Sequence, residues 1–265
     1  MSTVTVAPTV EPSTGPGDPP RVRLDVTDTG TPAITSVTVV RRGPGGRDVP
    51  VRTTDGGPLT LVTSGSNRVG TVYDYELEYQ VPVTYSTVQT PANTATVTLD
   101  EAQAWLIHLG VPALSRPISI SAITGRAKSL PRAVHAPMGS KFRIVHSAGQ
   151  RQASEYTLTV KTRSDADREA LDALFEDGST LLLNVPAGKG WGFTTEYVAI
   201  GDLNEDRPVP YGREPLRLWP LPLLVVERPI GGTKTERTYV DLLQFASYEE
   251  LDAAYDSYLA IASGP

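Results

Sequence analysis

The sequence predicts a mainly β protein: an N-terminal β-sandwich, a second β-sandwich or split-barrel domain with one helix, and C-terminal helices. Three observations predict it. Between Arg21 and Asp100, short runs rich in Val, Thr and Tyr are separated by Gly, Pro, Asp and Ser turns. Residues 155–185 read strand, helix, strand. With 23 Gly and 23 Pro in 265 residues, breakers are too dense for long helices to dominate.

Residues 1–20 hold Pro8, Pro12, Pro16, Pro19 and Pro20 and little apolar periodicity, and read as a flexible Pro-rich arm. From 21 to 100 six or seven strands are expected. Val22, Leu24 and Val26 alternate, as do Val37 and Val39. The turn Gly43-Pro44-Gly45-Gly46 leads to Val49-Val51, then 59–62, 70–88 and 94–99. The run Tyr73, Tyr75, Leu77, Tyr79, Val81, Val83, Tyr85 resembles the long tyrosine-bearing strand of fibronectin type III domains. That resemblance implies a spacer or interaction module.

The second domain is expected over 101–230. Trp105, Ile107 and Leu109 alternate as its first strand, and 118–123 and 141–145 supply others. Tyr156, Leu158 and Val160 alternate with Thr157, Thr159 and Lys161, the period of a half-buried strand. Ser164 with Asp167 three residues on forms a capping-box pattern, so a helix is expected over 165–177. Leu171, Leu174 and Phe175 lie on one face of it, and Gly178 stops it. Residues 181–185 read as a buried strand, and 191–200 and 216–226 finish the sheet. Pro220 and Pro222 place the last of these at an edge or a bulge. Residues 231–265 are expected to form a helical C-terminal arm, with helices near 239–243 and 248–261. Thr238-Tyr239-Val240-Asp241-Leu242 is echoed by Ser247-Tyr248-Glu249-Glu250-Leu251, each a hydroxyl followed three residues on by an acid.

Chemistry is sparsely signalled. With no cysteine, disulfides and thiolate metal sites are excluded. The net charge is −6, and the densest basic pair, Arg41-Arg42, reads as solvated surface rather than a nucleic-acid patch. No apolar run of membrane-spanning length and no signal-peptide pattern is present in the sequence. His108, His135 and His146 lack zinc-helix spacing, though His135 and His146 could meet across neighbouring strands. Gly188-Lys189-Gly190 reads as a turn with an exposed lysine rather than a phosphate loop. Asp202-Leu203-Asn204-Glu205-Asp206 opens like a calcium loop, but Arg207 and Arg213 stand where its glycine and bidentate acid belong. Trp191, between Gly190 and Gly192, reads as packing. No catalytic, cofactor-binding or metal residue is assigned, and no cofactor is expected.

Ala104-Trp105-Leu106-Ile107-His108 with Pro112 and Leu114-Ser115 opens an ordered series. Tyr156-Thr157-Leu158-Thr159-Val160, Asp172-Ala173-Leu174, Leu181-Leu182-Leu183, Trp191 and Tyr197-Val198-Ala199 follow, and the repeated Ser/Thr-Tyr-x-acid-Leu of the tail closes it. In that order the segments resemble the minor tail proteins of actinobacterial siphophages, and the strand–helix–strand is similar to the ring-forming domain of distal tail and tail-tube proteins. The resemblance implies a non-enzymatic structural protein at the distal end of the virion tail, made in the bacterial host cytoplasm. Its implied partners are itself, in a homohexameric ring, together with the tail tube and the baseplate hub. In such a ring the arm and the C-terminal helices would reach neighbours, so deleting residues 1–20 or 236–265 is expected to leave a folded monomer that fails to assemble. Nucleic acid is implied only as cargo in the lumen, and membrane contact is not implied. The ring domain usually comes first in distal tail proteins, whereas here the fibronectin-like module precedes it. The alternative is a carbohydrate-binding or adhesion module on a cell surface; a cell-wall hydrolase ranks third.

Overall fold

The computed structural model describes residues 3–130, 132–135, 138, 144–147, 149–208 and 215–231. It is mainly β. The strands in chain order are β1 (Val4–Glu11), β2 (Arg21–Asp28), β3 (Ser36–Val37), β4 (Val39–Arg42), β5 (Asp48–Pro50) and β6 (Leu59–Thr60). Then come β7 (Val62–Ser64), β8 (Asn67–Asp74), β9 (Pro82–Thr87), β10 (Ala95–Thr98), β11 (Ala104–His108) and β12 (Arg116–Ala127). The last are β13 (Arg132–His135), β14 (Ile144–Ser147), β15 (Glu155–Thr162), β16 (Leu181–Asn184), β17 (Thr195–Ile200) and β18 (Arg217–Val225). The helix α1 (Asp165–Phe175) is the one α-helix among the described residues. The helices expected at 239–243 and 248–261 lie outside them.

The chain divides into two compact units. Described residues up to Pro117, Leu181–Thr195 and those from Pro229 on form the first; Ile118–Thr180 and Glu196–Arg228 form the second. The chain passes between these units at 117/118, 180/181, 195/196 and 228/229. Strand β16 is buried at all four residues and pairs with β11, matching Trp105 to Asn184 and His108 to Leu181. Both strands are apolar on both faces and need cover on each. Thus the 155–185 stretch is shared between the two units.

The first unit holds two four-stranded antiparallel sheets, ordered β1-β2-β8-β7 and β10-β9-β4-β5. Strand β2 alternates as its sequence predicts, burying Val22, Leu24 and Val26. The flexible arm is a correction. Strand β1 pairs with β2 along all its length, from Val4 opposite Asp28 to Glu11 opposite Arg21, and Val4 is fully buried. Pro8 is tolerated because β1 is an edge strand, where a missing N–H breaks no ladder. Farther on, the Gly17 amide donates to Ser115 O at 3.1 Å. Gly17 has φ +87°, and a Cβ there would lie 2.9 Å from Ala113 O, so only glycine fits.

The tyrosine-bearing run is also corrected. It is not one strand: β8 ends at Asp74, Gln80 turns the chain at φ 61°, and β9 begins at Pro82 in the other sheet. The alternation survives the turn because Leu77, Tyr79, Val83 and Tyr85 all point inward.

The strands of the second unit, β12, β15, β18 and β17, are consecutive members of a closed barrel. Strand β15 and α1 follow the sequence closely. Ser164 Oγ accepts from the Asp167 amide at 3.0 Å, Leu171, Leu174 and Phe175 are buried, and Gly178 with φ 65° ends the helix. The Phe175 and Trp219 rings lie 6.4 Å apart, and Trp219 Nε1 donates to Thr162 Oγ1 at 3.3 Å. Strand β18 is not the expected edge or bulge; it runs between β15 and β17. Its prolines still obey the physical rule. Pro222 O accepts from Gly201 N, so the main-chain groups of residues 220 and 222 face the β17 side, and β17 pairs only with 223–225. The missing N–H groups fall where that neighbour has ended.

Candidate functional site

The densest chemistry lies in the first unit, where four charged side chains are withdrawn from solvent. Alternation along β8 turns Asp74 inward after Val72, leaving it 1% exposed. Arg41 Nη1 donates to Asp74 Oδ1 at 2.6 Å and to Oδ2 at 2.9 Å. The Tyr85 hydroxyl donates to Oδ2 at 2.9 Å. Arg41 is thus not the solvated residue its sequence suggests; its neighbour Arg42, paired to Asp48, is exposed. Two residues on, the Glu76 amide donates to Asp74 Oδ1, and Glu76 Oε1 accepts from Arg52 Nε at 3.0 Å and Nη2 at 2.8 Å. Arg52 also donates from Nη1 to Gly231 O at 2.5 Å and from Nη2 to Pro229 O at 2.9 Å. Buried charges persist when each is both paired and hydrogen-bonded, and these are. The chemistry this arrangement performs is cross-linking: strands from both sheets, and a distant segment, are held by charge.

Beside it, the Arg21 guanidinium lies 4.9 Å from the Tyr73 ring centre and 5.9 Å from that of Tyr75. Arg21 is held by Glu11 at 2.7 Å and Asp18 at 3.0 Å. Burial raises the Tyr75 pKa. The depression between Tyr73, Tyr75, His108 and Pro112 is too tight to admit a water molecule. In the second unit, Glu196 accepts from Arg126 and, at 2.8 Å, from the Tyr156 hydroxyl, while Arg126 lies 5.3 Å from the Tyr156 ring centre.

The residues weighed from sequence fall as follows. His108 is buried, and its Nδ1 accepts from the Val111 amide at 2.8 Å. His135 stands opposite Ile144 and His146 opposite Ala133, so the two occupy diagonal register positions. Lys189 is exposed in a turn. In the Asp202–Asp206 loop, Glu205 is engaged by Arg217 at 2.8 Å, with Arg207 and Arg168 at 3.8 and 3.9 Å, and Asp206 bridges Leu218. That loop is built around guanidinium groups. Among the described residues no three His, Asp or Glu side chains are grouped to hold a metal ion, and no helix is long and apolar enough to cross a membrane. Sequence reading missed Asp74 and Glu76. The one available signal was an acid at an inward position of an alternating strand.

Burial, and then Asp74, pushes the Tyr85 phenol well above its usual 10.0; burial and Glu101 do the same for Tyr79, and burial and Glu196 for Tyr156. The folded state therefore keeps protons that the unfolded chain releases above pH 10, so these three phenols leave stability unchanged below that pH and lower it above. Thermal melts from pH 8 to 11 should show this onset, and Y85F/Y156F should weaken the slope.

No protein-family model matches the chain, and no curated protein matches it.

Proposed function

We propose that the protein is a structural subunit of a phage tail tip, a distal or minor tail protein whose ring joins the tail tube to the host-recognition apparatus. One observation carries the reading. Strands β13 and β14 form a two-stranded ribbon that, among the described residues, pairs only with itself, and Val134 on β13 and Met138 between the strands are exposed. A lone ribbon is marginal in water and gains stability when another surface covers it. A neighbouring copy in a closed ring, six in this reading, supplies that surface. The exposed acids of α1, among them Asp165, Asp167, Glu169 and Asp172, offer a second contact. The ordered sequence resemblance and the two four-stranded antiparallel sheets of the first unit support this role, which requires no catalysis.

Negative-stain micrographs of the full chain should show rings with rotational symmetry, and replacing 131–148 with a short Gly-Ser turn should abolish them while preserving the fold. Monodisperse monomers that bind glycans would overturn the proposal. They would favour the adhesion reading, to which the clustered Tyr73 and Tyr75 are suited.

A further inference from the structure

We infer that Arg52 is a tether that pins the main chain at 229–231 to the first unit, so that everything beyond residue 231 leaves from a fixed point. The contact is made to backbone alone. Pro229 O and Gly231 O are two residues apart, the spacing at which extended backbone turns both carbonyls to one side. Ile230, between them, is fully exposed and adds no side-chain grip. The guanidinium is itself immobilised. Two of its nitrogens bond Glu76 Oε1, and the Glu76 amide is fixed to Asp74 at the end of β8. Arg52 and Glu76 side chains are 7% and 2% exposed. A rigid planar fork can bridge a carboxylate and two carbonyls together, and a lysine ammonium cannot. The tether therefore specifies the path of the chain at 229–231 without specifying its sequence. It stands independently of the tail-tip proposal.

The chain has no cysteine, so two can be placed at will. The pair V62C/I230C puts nitroxide labels on two exposed residues of the first unit. Pulsed electron–electron resonance on this doubly labelled full-length chain should give one narrow distance distribution. The tether is cut with R52M/E76L, an apolar replacement of both members of the buried pair that keeps the volume filled. The narrow population should be lost in that background and also in R52K, which retains the charge, while the circular dichroism of the sheets persists. A distribution that stays narrow in R52M/E76L or R52K, or one already broad in the parent, overturns the inference.

Discussion

Replacing Asp74 with alanine is expected to lower the free energy of unfolding by about 3–5 kcal/mol, because it leaves a buried guanidinium and a buried phenol without their shared acceptor. Arg41 loses its two bonds to the Asp74 carboxylate, and Tyr85, fully buried, loses the acceptor of its hydroxyl. The damage should spread, since the Glu76 amide is satisfied by the same carboxylate. Urea denaturation measures it. Arg42→Ala, which breaks an exposed pair between β4 and β5, should leave the curve almost where it was. If the two variants shift it equally, the Asp74 cluster is not a cross-link.

The second large effect is expected on removing residues 1–11. Were they an arm, their loss would leave stability untouched. As β1 they cover β2, bury Val4 and Val6, and place Val4 O to accept from Thr90 Oγ1 and Asn93 Nδ2, each at 2.9 Å. The truncated first unit should lose its cooperative transition and expose the β2 edge, a template for aggregation. Circular dichroism melts with light scattering test this; a wild-type transition in the truncated chain would refute it. Val4→Asp should reproduce much of the loss by burying a carboxylate without a partner. The expectation that trimming residues 1–20 leaves a folded, assembly-defective chain is thereby revised.

What was legible in the sequence was what local chemistry decides. Strand β15, the Ser164 cap, the stripe Leu171, Leu174 and Phe175, and the Gly178 stop lie where period and capping put them. What was hidden depended on partners. Pro8 reads as a strand breaker until β1 is known to be an edge. Pro220 and Pro222 read as edge residues until it is known which neighbour their nitrogens face. The apolar run at 181–184 announces burial but not its partner at 104–108. The ion pairs were least legible of all. Asp74 lies 33 residues from Arg41 and Glu76 lies 24 from Arg52, and nothing in a charge's sequence neighbourhood says that the fold will bring its counter-ion.

The repeated passage of the chain between units has a mechanical consequence. Strand β1 and the Arg52-held segment at 229–231 belong to the same unit. Tension applied between residues 4 and 231 therefore runs through the first unit, from the β1–β2 ladder to the Arg52 fork. The pull is borne there until the ladder peels or the fork lets go.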